Sequence, residues 1–66
     1  MYYQYTGEQL RSQLRFWETE QARYSALAEN HTGAGLLELA NRMKWEANIA
    51  AASALRVRKE LVEANT

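Results

Sequence analysis

The sequence predicts an all-α protein in which two long helices pack antiparallel as a hairpin. Three observations support this prediction. The 66 residues include no proline, and all eight acidic residues are glutamate, a composition that favours helices. Apolar residues recur at alternating steps of three and four on both sides of one glycine-containing segment. The length allows only one domain with one hydrophobic core.

The first helix is predicted over about residues 7–29. Thr6 and Gln9 have the spacing of a capping box, in which each side chain accepts a hydrogen bond from the other residue's backbone amide. The steps of three and four that follow are typical of a helix packed against one neighbour. The seam positions of this helix are Leu10, Leu14, Trp17, Gln21, Tyr24 and Ala28.

Residues 30–34 are predicted to form the interhelical turn. Gly33 and Gly35 lie among polar residues that favour turns, and a glycine there can provide a left-handed C-cap. The segment is within the roughly 2 to 8 residues typical of connections in helical bundles. We therefore expect the chain to fold back here.

The second helix is predicted over about residues 35–64, with an unbroken apolar seam. At ~1.5 Å per residue the two helices would be roughly 34 Å and 45 Å long, so the end of the second would overhang the first. We expect residues 1–6, with Tyr2, Tyr3 and Tyr5, to cover the overhang as an aromatic flap. The seam positions are Leu36, Ala40, Met43, Ala47, Ala50, Ala54, Val57, Leu61 and Ala64.

Alanine dominates the middle of the second helix, where residues 47–55 read ANIAAASAL. Small side chains on a seam allow two helix axes to approach towards the lower end of the ~8–10 Å range. We interpret these alanines as a trough that receives large side chains of the first helix. The candidates on its seam are Leu14, Trp17 and Tyr24.

Several large apolar residues fall outside the seam. Full burial of one large apolar side chain stabilises the folded state by ~1.5–3 kcal/mol, whereas the conformational entropy lost by each ordered residue costs about 1.5 kcal/mol. An isolated hairpin with one seam is therefore expected to be marginally stable. We therefore predict a second contact surface that forms a homodimer, as a four-helix bundle, or docks on a partner protein. Single exposed apolar residues are also ordinary in soluble proteins. The alternative for Phe16 or Leu27 alone is therefore an exposed residue that binds no partner. The predicted partner-binding residues are Phe16, Leu27, Arg42, Trp45 and Ile49, and Leu37, Leu55 and Val62 form a further apolar flank.

The sequence favours a protein that is not an enzyme. His31, the only histidine, lies beside Thr32, but no third residue is placed to orient the imidazole as a general base requires. The paired Glu-x-x-His motifs of metal-binding bundles are absent, and there is no cysteine. We expect no catalytic residues, no metal and no cofactor.

One alternative is a small nucleic-acid-binding regulator. Arg11 and Arg15 in the first helix and Arg56, Arg58 and Lys59 in the second would come to the same end of a hairpin. Against this, eight basic and eight acidic residues cancel to a formal net charge of zero. Such a balance is unfavourable for contacting many phosphates or an anionic membrane, and it favours a protein partner.

The leading interpretation is a protein–protein interaction module that oligomerises or binds and modulates a partner. Short helical proteins of this kind are often accessory factors of phages or other mobile elements, and a structural subunit of a larger assembly is a further alternative. The absence of cysteine and of a charged-then-apolar leader favours a cytoplasmic location. The longest weakly polar run, residues 47–55, is far shorter than the roughly 20 residues of a membrane span.

Overall fold

The protein is an elongated helical hairpin. A computed structural model describes residues 5–64, with helix α1 at Gly7–Gly33 and helix α2 at Leu37–Ala64. The two helices pack antiparallel, and the principal dimensions of the molecule are 48 × 18 × 16 Å. The predicted all-α hairpin is confirmed.

A capping box begins α1, as the sequence predicts. The backbone of Thr6 is extended, and its Oγ1 accepts a hydrogen bond from the Gln9 N–H at 3.1 Å. In return the Thr6 N–H donates to Oε1 of Gln9 at 2.9 Å. Two backbone donors at the helix start are satisfied in this way, so the boundary between Thr6 and Gly7 is fixed by local chemistry.

The first helix continues four residues past its predicted end at residue 29, and the prediction of a turn at residues 30–34 is wrong. The polar residues there are accommodated within the helix. The Thr32 hydroxyl donates to the Ala28 carbonyl at 2.8 Å, which is the usual way a helical threonine satisfies its hydroxyl. Turn-forming composition therefore marks the last turn of α1 instead of the reversal.

The reversal occupies residues 34–36 and has the hydrogen bonds of a Schellman motif. The Leu36 N–H donates to the His31 carbonyl at 2.8 Å, and the Gly35 N–H donates to the Thr32 carbonyl at 3.1 Å. Gly35 has φ +80°, a left-handed conformation that side chains disfavour. Gly35 is thus the glycine that ends the helix, and α2 begins at residue 37 instead of the predicted 35.

The two helices have nearly equal lengths, 27 and 28 residues, which corresponds to about 40 Å and 42 Å. The predicted overhang of the second helix is therefore wrong, because α1 gains the residues that were assigned to the turn. Tyr5 of the predicted flap is exposed. Tyr2 and Tyr3 lie outside the described residues.

The core is a thin seam between the helices, made mainly of alanine. Among residues 5–64 the buried side chains are Leu10, Ala28, Ala40, Ala47, Ala50, Ala54 and Val57. The larger seam residues Leu14, Trp17 and Tyr24 of α1 are half-buried. At the two ends of the seam of α2 the prediction is wrong: Leu36 is 47% exposed because it belongs to the reversal, and Ala64 is exposed in the last turn.

Candidate interaction surface

Trp45 and Ile49 form an exposed apolar pair on α2. Trp45 is 64% exposed and Ile49 is 40% exposed. They are one helical turn apart and therefore share one side of α2, at least about 100° around the helix from the buried alanines of the seam. Arg42 precedes them on the same side and is also exposed. The structure thus leaves these three predicted residues accessible to another molecule.

Phe16 on α1 is exposed but has a ring neighbour. Its side chain is 55% exposed. The ring meets that of Trp17 edge to face, with centroids 4.9 Å apart and an interplanar angle of 78°. This geometry is favourable for aromatic pairs, so the half-buried Trp17 holds Phe16 in a defined position at the surface.

An ion pair between the helices shows their relative register. Nη2 of Arg58 donates to Oε2 of Glu18 at 2.9 Å. The helices are antiparallel, so nine residues forward along α1 and nine residues back along α2 cover the same distance in the same direction. Starting from Glu18 and Arg58, these steps end at Leu27 and Ile49, which therefore lie at the same level of the hairpin. Nine residues are two and a half turns, so both side chains turn to the side of the hairpin opposite the ion pair.

The predicted partner-binding residues come together only in part. The half-buried Leu27 lies level with Ile49 on one side of the hairpin, with Trp45 one turn away. Phe16 is on the same side of α1 as Leu27, but eleven residues, or roughly 16 Å, separate them. The interaction surface is therefore defined here as Leu27, Trp45 and Ile49, flanked by Arg42, with Phe16 nearer the open end.

The exposed leucines around the turn were predicted only in part, since the sequence assigns Leu37 alone of them to an apolar flank outside the seam. Leu36, Leu37 and Leu39 are all exposed. The signal was present in the run LLEL, because leucines one and two residues apart on a helix cannot all face the same neighbour. Leu39 was not predicted at all, and Leu36 was assigned to the core.

A second exposed strip lies on the opposite side of α2. Leu55 and Val62 are both exposed, as is Leu37. Leu55 and Val62 are seven residues apart and turn towards the side that carries the Glu18–Arg58 ion pair. The further flank predicted from the sequence therefore lies about 120° around α2 from Ile49 and belongs to a separate surface.

The predicted basic residues do not all face one side of the hairpin. Arg56, Arg58 and Lys59 are exposed, but steps of two residues and one residue turn them about 200° and 100° apart around α2. Arg58 is paired with Glu18. Arg11 and Arg15 are exposed on α1. The cations therefore point in several directions at this end of the hairpin.

A shallow, open groove lies between the helices near the turn. Its volume is about 630 Å³, and Lys44 and Glu29 are among its lining residues. The groove exists because Ala28 and Ala47, which also line it, leave space that larger side chains would fill. Among residues 5–64 no three histidine or glutamate side chains are grouped closely enough to hold a metal ion.

Comparisons of the chain with protein-family models, with curated proteins and with solved structures gave no significant match. Neither described helix combines the length and the apolar character needed to cross a membrane.

Proposed function

We propose that this protein is a non-enzymatic interaction module whose interaction surface is covered by another protein chain. The exposure of Trp45, which is 64%, carries the proposal. A tryptophan one turn from an isoleucine, with a leucine level with that isoleucine, makes a patch of the kind that marks protein contacts. Tryptophan is also enriched among the few residues that dominate binding energies.

The thin core supports the same proposal. Five of the seven buried residues in the described part of the chain are alanine, so folding buries little apolar side-chain surface. A partner that binds only the folded hairpin would add stability by mass action. By occupying a surface of that partner the module would modulate it, as cytoplasmic accessory factors of phages or mobile elements do.

Site-specific photo-crosslinking in cells tests this function. A photoreactive phenylalanine analogue replaces Trp45 in the full chain, and the control places it at Ala22, which is exposed on α1 one turn from the ion-paired Glu18, on the opposite side of the hairpin. We expect irradiation to give a discrete protein adduct from position 45 and no adduct with the same partner from position 22. Equal labelling of that partner at the two positions, or no adduct from position 45, would refute the proposal.

A further inference from the structure

The side of the hairpin that carries the ion pair between Glu18 and Arg58 has large exposed side chains of its own, and we call it the ion-pair face. Leu55 is 66% exposed and Val62 is 65% exposed on this face. Lys44 is also exposed and lies five full turns before Val62, so both point in the same direction from α2. The interaction surface is on the opposite side, and the proposed function therefore leaves these side chains uncovered.

The α1 half of the ion-pair face is acidic and otherwise made of small residues. Glu29 and Ser25 lie eleven and seven residues after Glu18, so both point within about 20° of its direction. Ala22, one turn after Glu18, completes the row, and all four residues are exposed. Between residues 18 and 29 this half thus offers carboxylates and space, but no large side chain.

The α2 half of the face is basic and carries the large apolar side chains. Its cations are Lys44 and Arg58, and its apolar residues are Leu55 and Val62. All four glutamates of α2 point at least about 100° around the helix away from Val62. The two halves of the ion-pair face are therefore complementary to each other in charge and in side-chain size.

The groove near the turn belongs to this face and contains two unpaired charges. Glu29 lines it from α1, and Lys44 lines it from α2. Within residues 5–64 neither side chain forms an ion pair, since the pair between the helices joins Glu18 to Arg58. Most of the other lining residues are small, so a helix of another molecule can approach closely there.

We propose that a second copy of the protein packs on the ion-pair face, related to the first by a two-fold axis parallel to the helices. This inference goes beyond the proposed function, because it assigns a separate surface. Rotation about such an axis places α1 of each copy against α2 of the other, so the acidic half meets the basic half twice. Each helix then has two antiparallel neighbours, and the dimer is a four-helix bundle.

The register of the hairpin specifies the charged contacts. Because Glu18 is level with Arg58, Glu29 is level with Ala47, which is one turn from Lys44. In the dimer Glu29 of each copy therefore lies within one turn of Lys44 of the other copy. Glu18 likewise lies level with Arg58 of the other copy. Two charges that are unpaired in the hairpin gain a partner, and the existing ion pair gains a second one.

The large side chains of α2 find space or an apolar neighbour in the same register. Leu55 of each copy is level with the turn of α1 that contains the small Ala22 in the other copy. Val62 is level with Leu14, which is half-buried. Both exposed side chains are therefore covered by the dimer.

The charges also distinguish this arrangement from its alternative. A two-fold axis across the hairpin would stack α1 on α1 and α2 on α2, which brings glutamate towards glutamate and cation towards cation. The parallel axis avoids this on the face itself. Arg15 and Lys59 come near each other only at the rim, since each is turned about 60° outward from Glu18 or Val62, and water weakens the interaction there.

The size of the face fits a stable dimer. The two longer dimensions of the molecule are 48 × 18 Å, roughly 860 Å² of surface, and each partner in a standard protein interface contributes ~800 Å². Because the interaction surface lies on the far side of each copy, the dimer would present it twice.

Two charge-reversal variants of the full chain test the arrangement. Glu29→Lys and Lys44→Glu each place like charges opposite each other in a homodimer, so each should weaken self-association about tenfold or more. In a 1:1 mixture both contacts regain opposite charges, and association should return to within about threefold of the original. Repair within one chain cannot explain this recovery, because neither variant carries both changes. Sedimentation equilibrium measures the dissociation constants.

The control is Arg56→Glu, which reverses an exposed cation about 120° around α2 from Val62 and should leave self-association unchanged. The apolar contact has its own pair of variants. Leu55→Ser should weaken self-association about tenfold or more, whereas Trp45→Ser should not change it. Circular dichroism verifies that both variants remain helical, as their exposed positions allow.

The outcomes separate this inference from the proposed function. A chain that is monomeric at every concentration, or a mixture that does not recover association, would overturn the two-fold arrangement. A dimer that Trp45→Ser abolishes and Leu55→Ser preserves would also overturn it. None of these results removes the adduct from position 45, on which the proposed function depends. An adduct from position 22 should contain only a second copy, since Ala22 lies in the contact.

Discussion

Replacing Ala54 by leucine should destabilise the hairpin, although it adds an apolar side chain to the core. Ala54 is 0% exposed between the two helices. If there were room, three added carbon atoms at ~0.8 kcal/mol each would stabilise the protein by about 2.4 kcal/mol. Because the seam is closed at this position, the helices must separate, and overpacking typically costs about 1–3 kcal/mol. We expect a loss of that size.

Ala26→Leu is the matched control, because Ala26 is exposed in the middle of α1. Both variants change alanine to leucine in a helix, so their small differences in helix propensity are the same. Urea unfolding followed by circular dichroism at one fixed chain concentration gives the free energies of unfolding. In thermal unfolding of a domain of this size, a change of 1 kcal/mol in the free energy of unfolding shifts the melting temperature by about 4–8 °C.

The result that would refute this reasoning is an Ala54→Leu variant as stable as Ala26→Leu, or more stable. The seam would then contain space that leucine fills, and close approach of the helices would not explain the alanines.

Two further predictions concern the helix ends. Gly35→Ala should lower the free energy of unfolding by about 1–2 kcal/mol because Gly35 has φ +80°, whereas Gly33→Ala should raise it by about 0.5–1 kcal/mol, since Gly33 is helical with open space around it. Equal effects in urea unfolding would contradict the assignment of the Schellman motif. Thr6→Ala should lower the free energy of unfolding by about 1 kcal/mol through loss of the capping box. The control is Thr19→Ala, because Thr19 is exposed within α1 and its replacement should not destabilise the protein. An unchanged free energy of unfolding in Thr6→Ala would show that the cap is dispensable.

The start of α1 and the helix pairing were predictable from sequence because local chemistry and spacing determine them. Thr6 and Gln9 satisfy each other's backbone donors, and this requires nothing from the rest of the chain. The end of α1 was not predictable in the same way. Gly33 and Gly35 both suit a C-cap, and the choice between them depends on where the returning helix packs.

Exposure of the interaction surface was predictable, but its composition depends on register. The angles of Trp45 and Ile49 relative to the alanine seam follow from helical periodicity alone. That Leu27 is level with Ile49 follows from the contact between Glu18 and Arg58, forty residues apart in sequence. Leu36 was misjudged because it belongs to the reversal and not to α2, and Leu39 was missed although its angle follows from the same periodicity.

The alanine seam also determines which mutations the hairpin tolerates. In most proteins the damaging changes inside are truncations, because a large side chain leaves a void. Here the buried positions of α2 are mostly occupied by the smallest side chain after glycine, so little remains to be removed. A saturation scan should therefore show an upper limit on volume at Ala40, Ala50 and Ala54, which do not line the groove, with serine and glycine rejected less strongly than valine or phenylalanine.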